Sequence, residues 1–114
     1  MIRRRKTQYI ILDDAKNDLL NIRFFTLENW GKEQSSAYLN ELKEIFSFLA
    51  QKPDIGHDRS HDLRRDIRSF AHRSHIIYYQ KTAQGIAIIG VFHHAMLPSA
   101  HLVMREVTDS SIDP

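Results

Sequence analysis

A chain of 114 residues holds one hydrophobic core and not two, and 42% hydrophobic with 26% charged residues places it among ordinary globular domains. It contains no cysteine, which excludes a disulfide frame and any thiolate metal site and fits a reducing cytoplasm. The net charge of +2 argues against direct nucleic-acid binding, and no apolar run approaches the roughly 18 residues of a membrane span.

Arg3, Arg4, Arg5 and Lys6 lead into an apolar patch, but Asp13 and Asp14 cut it to about four residues, short of the roughly 7–15 in a secretory signal. Gln8 to Leu12 therefore reads as a short buried strand with a basic lead-in. Asp13 or Asp14 is placed to cap a helix. Ala15, Leu19, Ile22 and Trp30 fall near one helical face, with Phe25 or Thr26 filling the middle turn. This spacing puts Trp30 in the core, between the helices and whatever they cover. Gly31 is a stop signal, since a helix end often needs a residue at positive φ. Tyr38, Leu42, Ile45 and Leu49 then repeat at four, three and four, and Pro53 and Gly56 end this second helix. So short a break predicts an αα-hairpin from about Asp14 to Gln51.

From Leu63 onward the period becomes that of strands. Ile67 to Phe70 alternates, Ile76 to Tyr79 is compact and apolar, and Lys81 to Gly85 (KTAQG) reads as a hairpin loop. Ile86 to His93 is apolar on both faces, which suits a central strand. His101 to Met104 reads as a brief extension of the sheet region, and residues 105–114 as a flexible tail. The expected fold is α+β in the order β-α-α-β-β-β: an antiparallel sheet with the helix hairpin on one face, in a single domain spanning residues 1–114.

The order and spacing of these pieces resemble the ParE-type toxins of the ParE/RelE superfamily. The resemblance covers about residues 8 to 98. It is carried by Ala15, Leu19 and Ile22, by Trp30-Gly31, by Tyr38 and Leu42, and by Pro53 with Gly56. Ile67 to Phe70, His75 to Tyr79, Gly85-Ile86-x-Ile88 and Val91-x-His93 complete it. Two departures stand out. Gly90 occupies a place where many members carry an arginine, and the terminal histidine is followed by His94-Ala95-Met96-Leu97 rather than by a charge.

The resemblance implies the toxin of a type II toxin–antitoxin system, which binds a cognate antitoxin in a hetero-oligomer and blocks DNA gyrase without chemistry of its own. It implies no cofactor. The other branch of the superfamily cuts mRNA on the ribosome; there Arg68 and His75 would be the catalytic positions, one cation and one histidine to stabilise a phosphorane. A member that binds antitoxin without toxicity is a third reading. Arginine and tyrosine are usual interface anchors. The expected partner-binding set is Arg64, Arg65, Arg68, His75, Tyr79, His93 and His94, on a half of the chain that also holds all seven histidines. Tyr78 and Tyr79 point to opposite faces, one toward the core and one toward a partner. No metal site is expected. His93 and His94 are adjacent on a strand and should diverge, and His57 and His61 have only Asp58 and Asp62 beside them.

Overall fold

The computed structural model describes residues 8–103 and 105. The basic lead-in, Met104 and residues 106–114 lie outside these. The elements are β1 (Gln8–Ile11), α1 (Asp13–Trp30), α2 (Lys32–Gln51), a 3-10 turn at Pro53–Ile55, β2 (His57–Asp58), β3 (Arg68–His72), β4 (His75–Thr82), β5 (Gly85–His93) and α3 (Pro98–Leu102). This is the expected α+β order, with two additions. Strand β2 is two residues long, and the stretch expected to extend the sheet is helical at Pro98–Leu102.

The sheet runs β1-β5-β4-β3-β2. It is mixed rather than wholly antiparallel, because β1 pairs with β5 in parallel. The helix hairpin intervenes between β1 and the rest of the sheet, which lets the first strand return in the same direction. Gly31 alone separates the two helices, at φ 94°, and it serves both ends: its N–H bonds to the Leu27 carbonyl and its carbonyl accepts from Ser35. Among the described residues no side chain caps α1. Leu12 holds the cap position, and Asp13 and Asp14 instead lie in the first turn, where their charge meets the positive end of the helix dipole.

Two apolar layers sandwich the sheet. On one face Ala15 and Ile22 of α1 and Leu42, Phe46 and Leu49 of α2 pack against Ile77, Tyr79, Ile86, Ile88 and Val91. On the other, Leu102 of α3 and Ile67 cover Tyr78, Ile89 and Phe92. Both tyrosines are thus core residues, one in each layer. Within the hairpin Thr26, not Phe25, fills the middle turn; its hydroxyl lies 2.7 Å from that of Ser35 and donates to the Ile22 carbonyl, joining α1 to α2.

Strand β5 changes face partway along. Tyr78 pairs with Gly90 but Tyr79 with Ile88, leaving Ile89 as the extra residue of a β-bulge. Ile86 and Ile88 face the helices, and after the bulge so does Val91, while Ile89 and Phe92 face α3. His93 is thereby brought beside its cross-strand partner His75, their ring centroids 5.8 Å apart.

Past Ile88, among the described residues, no strand covers the outer edge of β5, and side chains complete its hydrogen bonding. Asp18 accepts from the Val91 N–H at 3.1 Å, and the Arg105 guanidinium donates to Asp18 at 2.7 Å and to the Ile89 carbonyl at 3.1 Å. Arg105, at the start of the expected tail, is therefore held in place. A Cβ at Gly90 would lie 2.9 Å from Arg105 Nη1, so the glycine leaves the space that the guanidinium fills.

Candidate functional site

The seven residues expected to meet a partner do not form one face. Tyr79 is 0% exposed; its hydroxyl donates to the Pro53 carbonyl at 2.8 Å and accepts from the Gly56 N–H at 2.9 Å. It serves the core and the turn after α2, not a partner. Arg64 is spent on the end of α3, donating to the Leu102 carbonyl at 2.7 Å and to the Arg105 carbonyl. Arg68 donates to the Gly56 carbonyl at 2.9 Å and lies 3.7 Å from the Asp54 carboxylate, fastening the 3-10 turn to β3. Arg65, His93 and His94 are exposed, with Arg65 on the loop before β3 and the histidines at the end of β5.

Arg68 and His75 are also kept apart. Arg68 pairs with Tyr79, four residues along β4 from His75, a separation of about 13 Å at strand rise. Arg68 is turned toward the Gly56 carbonyl and Asp54, whereas His75 is turned toward Tyr38. His93 and His94 do not diverge as expected. The chain leaves the strand at His94, whose N–H bonds to the Ser74 carbonyl, and the two rings come within 4.4 Å. Among the described residues no group of three or more histidines and carboxylates is placed to hold an ion.

What the structure does assemble is a groove. Where α1 passes the end of the sheet, an open hollow of about 540 Å³ lies between Ile22, Phe25 and Trp30 on one side and Val91, Phe92 and Met96 on the other. Its walls are apolar and its large side chains are uncovered: Phe25 is 58% exposed, Trp30 42% and Met96 38%. Trp30 is thus not the core anchor its spacing predicted. It is the last residue of α1, and its indole meets Tyr38 edge-on with centroids 5.5 Å apart. A second hollow, between Trp30, Tyr38 and Arg73, opens on the other side of the indole, so Trp30 stands as a ridge. Large apolar side chains left open in one patch mark interaction surfaces.

The groove's polar lining is Asp18 and Asn21 of α1 with Ser74, His75 and His93, and behind His75 stands a polar cluster that borders the second hollow. Tyr38 of α2 is the hub: its hydroxyl lies 2.6 Å from His75 Nδ1 and its ring stacks on His72 at 5.8 Å. Glu41, one helical turn on, binds His72 at 2.9 Å and Arg73 at 3.1 Å, contacts that hold its carboxyl below the usual range, the His72 bond most of all. His75 is 8% exposed. Burial, and then the imidazoles of His93, His94 and His72, lower its pKa from 6.5 to about 4. Burial raises the Tyr38 hydroxyl, keeping it protonated.

An apolar groove on the helix hairpin is legible as a binding surface in the sequence, but its lining is not: helical spacing points Trp30 inward and offers Phe25 as an alternative to Thr26 for the middle turn, and Met96 lies in the segment that departs from the family pattern. The available signal was Asn21, Phe25 and Glu28, a half-polar line on α1 beside the core face.

Comparison with known proteins agrees with this architecture. The family described as "ParE toxin of type II toxin-antitoxin system, parDE" matches residues 9–98. Toxin ParE1 of Caulobacter vibrioides is 34% identical over 88 residues, covering 77% of this chain and 90% of the relative. Toxin ParE1 of Mycobacterium tuberculosis is 30% identical over 91 residues, covering 79% and 92%. A solved structure titled "Chromosomal ParDE TA system from P. aeruginosa" superposes with a TM-score of 0.66 over 79% of this chain and 98% of its own, at 15% identity, a likeness of fold. With a family match across most of its length, the chain belongs to the ParE toxins of type II toxin–antitoxin systems.

Proposed function

We propose that this chain acts in the cytoplasm as a toxin that binds DNA gyrase and arrests replication, without chemistry of its own, and that its antitoxin neutralises it by filling the groove beside α1. The observation that carries the reading is the pairing of an open apolar groove with the dispersal of the candidate catalytic groups. Arg68 is engaged with the turn at Gly56, His75 is neutral and mostly buried, and about 13 Å of strand lies between them. A binding protein needs surface rather than a poised acid and base. Phe25, Trp30 and Met96 supply that surface.

Two assays run side by side test this. Purified protein should inhibit gyrase supercoiling of a relaxed plasmid, and mRNA in a translating extract should stay intact. Codon-spaced mRNA cleavage, with gyrase unaffected, would transfer the protein to the ribonuclease branch.

A further inference from the structure

One polar group faces the groove without a task. Tyr38 brings a single hydroxyl proton to His75 Nδ1 at 2.6 Å, and the competing acceptor, the His72 carbonyl, is at 3.5 Å. The shorter contact takes the proton, since hydrogen bonds weaken steeply toward 3.5 Å. An imidazole that accepts at Nδ1 and is uncharged carries its own hydrogen on Nε2. Among the described residues no sealed side-chain nitrogen or oxygen lacks a partner. Nε2 has no partner among the described residues, so it reaches the open volume that His75 helps to line.

We infer that His75 Nε2–H is a specificity-determining donor at the floor of the antitoxin groove. It meets a carbonyl or carboxylate oxygen of an antitoxin segment whose neighbouring apolar side chain seats against Phe25, Trp30 and Met96. This rests on the reading of the groove as the antitoxin site. The groups around the ring favour an oxygen there: Tyr38 from α2, His72 from β3 with Glu41 attached to it, Arg73 on the turn, and His93 and His94 at the end of β5. Except for Glu41, already bound to His72 and Arg73, these are donors or cations, and the one carboxylate lining the groove, Asp18, is bound by Arg105 and the Val91 N–H. A segment offering only apolar atoms at this point would leave the Nε2–H desolvated and unpaired, which discriminates against wrong partners. Tyr38 is a positioning residue in this scheme, since it fixes which nitrogen holds the hydrogen.

The test has two arms. In the protein alone, ¹⁵N NMR of the histidine side chains at neutral pH should show His75 as the Nε2–H tautomer; an Nδ1–H tautomer overturns the inference whatever the variants do. In the second arm, the protein encoded by the adjoining reading frame is titrated calorimetrically into wild type, His75→Gln and His75→Asn. The glutamine amide reaches the Nε2 position, the asparagine amide only that of Nδ1. Gln should bind within about threefold of wild type and Asn about tenfold more weakly, the worth of one neutral hydrogen bond. Equal affinity of the two variants overturns the inference and leaves the antitoxin reading standing. Failure of the adjoining protein to bind even wild type removes that reading, and this inference with it.

Discussion

The placement of Tyr79 inside the fold can be tested through its coupling to Gly56. Its hydroxyl holds two backbone groups, the buried Gly56 N–H at 2.9 Å and the partly buried Pro53 carbonyl at 2.8 Å. Tyr79→Phe leaves both unpaired, at a cost of about 2–3 kcal/mol. Gly56→Ala would push a Cβ to 2.2 Å from the same oxygen and to 2.8 and 2.9 Å from the nearest ring carbons. The phenol must retreat, losing both bonds and straining its packing, for about 3–4 kcal/mol. In the double variant the oxygen is already gone and only the ring contacts need relief, about 1 kcal/mol beyond Tyr79→Phe alone. The two substitutions should therefore couple by about 2–3 kcal/mol, with the double variant more stable than the sum of the singles predicts. Urea denaturation followed by circular dichroism measures this; the lone tryptophan is too exposed to report on the core. Additivity to within about 0.5 kcal/mol would refute the reasoning and return Tyr79 to the surface.

Trp30→Ala should cost only about 1–2 kcal/mol of stability, near half the toll of a sealed aromatic, yet weaken antitoxin binding by about 2 kcal/mol; a stability loss of about 3–5 kcal/mol would put the indole back in the core. His75 takes up a proton near pH 6.5 when unfolded but only near pH 4 when folded, so its contribution is complete above pH 6.5 and is lost as pH falls toward 4. Denaturation midpoints across that window should fall by the equivalent of about 2 kcal/mol, allowing for solvent at the ring's open edge, and His75→Gln should flatten the slope; an unchanged slope would remove His75 as its source. Asp18→Ala strands the Val91 N–H and takes from Arg105 its nearest carboxylate, leaving it the Ile89 carbonyl and Asp14, and should cost about 2–3 kcal/mol by urea denaturation, with a loss below about 0.5 kcal/mol showing that the edge of β5 is closed by something else.

Much of the fold was legible because its signals are local. The one-glycine break at Gly31 allows only a tight hairpin, and the unbroken apolar run from Ile86 to Phe92 needs cover on both faces. Direction along a helix was legible too, but extent was not. The spacing from Ala15 through Ile22 to Trp30 gives the face each residue takes, and says nothing of where the sheet beneath it ends. At Trp30 it has ended, and the inward side chain meets Tyr38 and open space. The site was misread for a related reason. Arginines in sequence look free, whereas Arg64 and Arg68 are consumed by backbone carbonyls 38 and 12 residues away. The bulge at Ile89 was hidden because both faces of β5 are apolar, so a change of parity leaves no mark in the pattern. Glycine within a strand was its one trace.

The guanidinium beside Gly90 ties the chain beyond the family match to the sheet. Arg105 lies past residues 9–98, yet it brings its cation to the open edge of β5. A version trimmed to the family boundary would leave the Asp18 carboxylate without its counter-charge, uncap the Ile89 carbonyl and bare the apolar hollow that Leu102 closes.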